Sequence, residues 1–233
     1  MSPAPKKPLV CYVTHRKSLP AGDSAEALLE KIHAVVAAGV DWVQIREKDL
    51  SGRELLALAK EAVGIANTQA RERAAGRTAS QIIVNDRLDI ALAAGAAGVH
   101  LGRESLSAQD VVRWCRRENV PAEFLVGVSC HSLEEAREAH TAGAGYIYFG
   151  PVFDTPSKRA MGQPQGIARL AEICRSVTIP VLAIGGISEE NAADCIRAGA
   201  AGIAAIRMFQ EPQPIALQDV VERLRVGLRS GGL

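Results

Sequence analysis

The chain has 233 residues, 48% of them hydrophobic and 23% charged, the make-up of an ordinary folded protein long enough to bury a sizeable core. Its 27 basic and 26 acidic residues leave a net charge of +1, which argues against a nucleic-acid or anionic-membrane surface. No apolar run approaches the ~18 residues of a spanning helix, and the apolar stretch near the start is too short for a secretory leader, so a cytoplasmic location is expected.

Residues 1–8 are rich in Pro and Lys and are expected to be flexible. Short β-branched runs then recur at 9–14, 42–46, 81–86, 98–102, 124–130, 146–152, 180–186 and 202–209, each followed by a stretch with helical period. The runs are continuous rather than alternating, as parallel strands covered on both faces should be. After Asp23, the apolar residues Ala25, Leu28, Leu29, Ile32, Val35 and Val36 fall on one helix face. Ser132 with Glu135 three residues on reads as a capping box opening another helix. The segments AAGVDWVQI, AAGAAGVHL, TAGAGYIYF and RAGAAGIAA repeat one helix-to-strand joint, with Gly39, Gly95, Gly143 and Gly199 where a left-handed residue ends a helix. Eight such units with no internal linker predict an α/β protein with a single (β/α)₈ TIM barrel over 9–229, followed by a flexible end at 230–233. An open doubly wound sheet is the runner-up. Aromatic residues make up only 4%, so an aliphatic core is expected. The five cysteines are scattered, odd in number and without a CxxC pair, which argues against structural zinc or a disulfide framework.

A barrel of this kind carries its active site at the C-terminal ends of the strands. Those ends hold Gln44, Arg46 and Lys48 after the second run, Asn85-Asp86 after the third, and Arg103-Glu104-Ser105 after the fourth. Ser129 and His131 follow the fifth, and Thr155, Ser157, Lys158 and Arg159 lie on a long loop, 153–166, after the sixth. Gly185-Gly186 and Arg207 end the last two. Cations, hydroxyls and glycines with few carboxylates suit a phosphate or diphosphate ligand. Read alone, Arg46 and Lys48 serve equally well as rim charges paired with Glu47 and Asp49, and Asn85-Asp86 as a turn and helix cap.

Five blocks taken in order, VQIREKDL, IIVNDRLDIALAAGAAGVHLG, GVSCHSLEEA, FGPVFDTPSK and IPVLAIGGISEENA, resemble the superfamily of thiamine phosphate synthase and thiazole tautomerase. The resemblance spans Val10 to about Arg225 and lies closer to the synthase. It implies a transferase that joins a pyrimidine methyl diphosphate to a thiazole phosphate. It gives Gln44, Arg46, Lys48, Asn85, Ser129 and Lys158 to the pyrimidine diphosphate, with Lys158, Ser129 and Arg46 as the catalytic set. It gives Thr155, Pro156, Ser157, Gly186, Ile206 and Arg207 to the thiazole phosphate, and Asp86 to Mg²⁺.

Two positions depart from the family pattern. Ser105 stands where the pattern has a second Mg²⁺-binding aspartate, which leaves Glu104, Ser105 or Glu47 to serve as second ligand, and Arg207 stands where it has a serine. The alternatives are a tautomerase with His131 as acid/base, and a non-catalytic homologue that binds a phosphorylated ligand. Expected partners are small phosphorylated molecules, with no nucleic acid or membrane, and assembly into a homo-oligomer is left open.

Overall fold

The computed structural model describes residues 7–72, 79–155, 163–211 and 214–230. Among them, eight parallel strands close into a barrel in chain order: β1 (Leu9–Val13), β2 (Trp42–Ile45), β3 (Gln81–Asn85), β4 (Gly98–Leu101), β5 (Leu125–Cys130), β6 (Tyr146–Phe149), β7 (Val181–Ile184) and β8 (Gly202–Ala205). Around it run α1 (Ala25–Ala38), α2 (Gly52–Glu72), α3 (Leu88–Ala93), α4 (Ala108–Arg117), α5 (Leu133–Ala142), α6 (Gly166–Ser176), α7 (Ala192–Arg197), α8 (Arg207–Gln210) and α9 (Pro214–Ser230). No helix among the described residues is long and apolar enough to cross a membrane.

The repeated joint explains the regularity. At the end of α1, Gly39 takes φ 96° and returns its N–H to the carbonyls of Val35 and Val36, and Gly143 does the same after α5. Only glycine adopts that left-handed turn without a Cβ penalty. Each joint delivers the chain to the floor of the barrel, and every strand starts within a residue of its expected place.

Alternate strand residues separate into two cores. Val10, Val43, Ile45, Ile82, Val99, Ile147 and Ile203 face the helices and form one large, mostly aliphatic cluster. Fully burying each such side chain stabilises the fold by about 1.5–3 kcal/mol. Cys11, Val13, Trp42, Ile83, Tyr146, Tyr148, Leu182 and Ala204 point inward as a second cluster. The expectation of an aliphatic core holds for the outer layer only, because three aromatic rings fill the barrel interior. Gly127 admits one of them: a Cβ there would lie 2.0 Å from the Tyr146 ring.

The run at 202–209 does not remain a strand. It stops at Ala205, and α8 follows, placing Phe209 edge-to-face against Tyr12 with ring centroids 5.8 Å apart.

Candidate active site

Side chains alternate faces along a strand, so the inward row of each strand, followed upward, ends at the mouth. Gln44 is the inward residue above Trp42, and it is buried at 2% exposure. Its Nε2 donates to Asn85 Oδ1 at 3.0 Å, while its Oε1 is buried with no partner. The pair therefore offers a ligand one acceptor, Gln44 Oε1, and the amide N–H groups of Asn85. Ser129 is the inward residue of β5 nearest the mouth, half-buried, with its Oγ 2.9 Å from His100 Nε2.

Arg46 follows β2 half-buried, and Lys48 lies exposed two residues on. Neither pairs with Glu47 or Asp49. Arg16 takes both acids instead, at 3.3 Å and 2.7 Å, and Lys17 adds a contact to Asp49 at 2.9 Å. Glu47 is 4% exposed and also accepts from the Thr14 hydroxyl and the Arg16 backbone N–H. Its oxygens are committed, so it is not available to a metal. Among the described residues Arg46 and Lys48 have no acidic partner, which leaves their positive charge uncompensated at the mouth, whereas Arg207 shares its cavity with Asp154, Glu189, Glu190 and Glu211.

Asp86 ends β3 in the left-handed region, at φ 68°, with its backbone N–H bonded to the His100 carbonyl. It does not cap α3, whose N-cap is Arg87. No described residue bonds to its exposed carboxylate. Glu104 is likewise exposed and without a partner, whereas Ser105 Oγ accepts from the Gly102 N–H at 2.8 Å. No group of three or more His, Cys, Asp or Glu side chains is gathered for a metal among the described residues. One or two carboxylates completed by phosphate oxygens and water suit Mg²⁺, which seldom has an all-protein cage.

Across the mouth, a cavity of about 620 Å³ is lined by Thr155, Gly186, Ile206 and Arg207, with His15, Ser18 and Ile187. Thr155 is buried and Arg207 is the exposed first residue of α8. Gly185 and Gly186 have φ 93° and 66°, and the loop after β6 presses on both: a Cβ would lie 2.6 Å from Pro151 or 2.5 Å from the Asp154 carbonyl. Glycine is thus demanded here by chain packing. The glycines do not open α7, which begins at Ala192; the helix beginning at this cavity is α8.

A second cavity of about 1220 Å³, beside β4 and β5, is lined by Gly102, Arg103, Ser105, Ser129 and His131. His131 Nδ1 faces the Gly150 carbonyl, so that nitrogen carries a proton and donates it there. Cys130 faces the helices, and burial pushes its thiol up to about 12, which rules out an active thiolate. Pro156, Ser157 and Lys158 lie outside the described residues.

The sequence reading assigned no role to His100, Tyr146, Tyr148 and Cys11. The first three stack within the barrel, His100 and Tyr148 with ring centroids 4.2 Å apart. The even spacing of these three, His100 two residues back from Gly102 and Tyr148 and Tyr146 two and four back from Gly150, is the signal that locates them on the inward row.

The profile of the family described as thiamine monophosphate synthase matches residues 10–209. A thiamine-phosphate synthase of Roseiflexus castenholzii is 41% identical over 89% of this chain and 84% of its own length. One of Methanoculleus marisnigri is 44% identical over 73% of this chain and 74% of its own. The solved structure of a thiamine phosphate pyrophosphorylase from Pyrococcus furiosus superposes with a TM-score of 0.77, at 29% identity and 96% coverage of both chains.

Proposed function

Because the chain belongs to the thiamine monophosphate synthase family, we propose that it is a transferase of the thiamine-phosphate synthase type, working in the cytoplasm. It joins an aminopyrimidine methyl diphosphate to a thiazole phosphate and releases pyrophosphate. The observation that carries this reading is the uncompensated positive charge at the mouth, where Arg16 and Lys17 take the local acids and leave Arg46 and Lys48 to a polyanion.

The methylene–oxygen bond breaks with its electron pair leaving on the diphosphate. Negative charge grows on the departing oxygens, and Arg46, Lys48, Lys158 and the Ser129 hydroxyl stabilise it more than they stabilise the bound substrate. The amide of Asn85 donates to the same anion. The orphaned Gln44 Oε1 suits an exocyclic amino group, which orients the pyrimidine. The electron-rich ring carries the methylene cation until the thiazole nitrogen captures it with its lone pair. Thr155, Pro156, Ser157, Gly186, Ile206 and Arg207 hold the thiazole phosphate within reach of that carbon. No protein nucleophile or base is consumed, and no step calls on His131. Asp86, with Glu104 or Ser105, would hold Mg²⁺, which when bound neutralises charge on the diphosphate.

The test is one incubation of the purified protein with both substrates and Mg²⁺. Thiamine phosphate and pyrophosphate should appear in equal amounts. No product at any Mg²⁺ concentration would overturn the reading.

A further inference from the structure

Behind Ser129 a row of hydrogen-bonding groups runs through the barrel interior, down to His100 and Tyr146 and back to Tyr148, which is level with Ser129 in the strand register. Ser129 Oγ lies 2.9 Å from His100 Nε2, and His100 Nδ1 lies 3.1 Å from the Tyr146 hydroxyl. The Tyr146 ring packs against that of Tyr148 with centroids 5.4 Å apart and the two hydroxyls interact, and the Tyr148 hydroxyl lies 3.0 Å from the Cys11 sulfur. All but Ser129 are at most 2% exposed. We infer that this row is a directed chain of donors that holds the Ser129 hydroxyl as a donor toward a diphosphate oxygen, with His100 and Tyr146 as positioning residues.

The inference rests on the proposed diphosphate site, and its logic is donor counting. A diphosphate oxygen only accepts, so a useful bond from Ser129 consumes its single O–H. Its oxygen must then accept from His100 Nε2–H. The imidazole is buried between two hydroxyls with no carboxylate among its hydrogen-bond partners, so the ring is neutral and carries one N–H. Nδ1 is therefore bare and needs a donor, which is Tyr146 O–H. Tyr148 O–H then turns to Tyr146, and the Cys11 thiol to Tyr148. Every group is satisfied and one proton is presented at Ser129.

The row has a second consistent direction. Ser129 then donates to Nε2, each partner donates to the next, and the thiol ends on the Tyr12 carbonyl, 3.7 Å from Cys11 Sγ. In that state Ser129 offers an anion only lone pairs. Passing between the two moves one proton off Nδ1 and one onto Nε2 through exchange with water, while hydroxyl and thiol hydrogens rotate; no net charge moves. A bound diphosphate selects the first direction.

The experiment is ¹⁵N spectroscopy of histidine-labelled protein with and without inorganic pyrophosphate and Mg²⁺, the His100 signals assigned by their loss in His100→Gln. Calorimetry measures pyrophosphate binding on the same samples. The pyrophosphate complex should show His100 protonated at Nε2 and bare at Nδ1. Binding with the proton on Nδ1 would overturn the inference alone, whereas absence of binding would overturn the diphosphate site beneath it. Tyr146→Phe should lower kcat about tenfold and Tyr148→Phe about threefold, with the KM for thiazole phosphate unchanged, since losses through a supporting partner fade with distance. Cys11→Ser keeps a donor and should keep the rate. Equal losses along the row, or losses confined to KM, would mean that these groups only pack the barrel.

Discussion

Asp86 stands in the left-handed backbone region with a carboxylate that no described residue engages. An L-residue at φ 68° costs of order 1 kcal/mol, less for aspartate than for most. Asp86→Gly should therefore leave the unfolding free energy unchanged or raise it by up to about 1 kcal/mol, while Mg²⁺-dependent synthesis is lost. Denaturant titration and initial rates on the same preparation check both halves. Ser105 is a gentler case. Its Oγ accepts from the Gly102 N–H, a bond that an aspartate oxygen can also accept while its second oxygen faces outward. Ser105→Asp should lower the half-saturating Mg²⁺ concentration, because a second anionic oxygen attracts a hard dication. An unchanged or higher value in a Mg²⁺ titration of initial rate would show that Glu104 already serves.

The loop from β1 to α1 works on the site from behind. Arg16 spans Glu47 and Asp49, and its partnership with the exposed Asp49 holds that carboxyl well below the usual carboxylate range. Arg16→Ala should cost about 2 kcal/mol through the loss of a charged hydrogen bond to buried Glu47. It also frees two acids to draw on Arg46 and Lys48. The KM for the pyrimidine diphosphate should rise about threefold, the worth of a weak surface ion pair. Unfolding curves and steady-state kinetics separate the two effects, and a stability loss with unchanged KM would show that the acids do not compete. This arrangement was hidden in the sequence because Glu47 and Asp49 alternate with the cations they were expected to pair. The partner that takes them is over thirty residues away. The strands themselves were legible, since a glycine joint recurs wherever a helix must turn under the barrel. Their ends were less so: apart from Arg207, 202–209 continues apolar past the end of β8, because Phe209 is buried in α8 as it would be in a strand.

Considered entire, the barrel is two layers in packing terms, a mostly aliphatic shell and an aromatic-rich shaft threaded by a few hydrogen bonds. Continuous apolar runs announce the shell and conceal the shaft, because strands covered on both faces show no period of two. Gln44, Asn85 and Ser129 were legible as strand-end polar residues; Tyr146, Tyr148 and Cys11 were not, each being a plausible core filler. The shaft should add an acid-sensitive contribution to the stability of the fold. The unfolded chain's histidine takes up a proton near its ordinary value of 6.5, while burial and the Arg46 charge keep His100 neutral until about pH 3 in the native state. The unfolded state binds more protons in that window, so stability should fall as pH drops through it, by about 1.4 kcal/mol per unit below 6.5. His100→Gln should flatten that limb. Unfolding free energies at pH 4, 5 and 7 for both proteins check it; parallel curves would place the acid sensitivity elsewhere.

Asp41, at the barrel floor, binds Lys7 at 3.1 Å, the Val10 N–H at 2.8 Å and Arg225 at 2.6 Å, and Arg225 also holds the Pro8 carbonyl at 2.7 Å. The first strand and the last helix are thereby stitched at one carboxylate. Topologically the polypeptide is a ring with a nick in it, and the nick can be moved. Residue 230 lies only five residues beyond Arg225, which already bonds the Pro8 carbonyl, so a short flexible linker can join residue 230 back to Pro8. Opening the ring between Pro121 and Ala122, both exposed in the turn before β5, severs no strand. Such a circular permutant should fold to the same far-ultraviolet spectrum and retain synthesis, because every strand-end residue at the mouth stays on an uninterrupted stretch of chain.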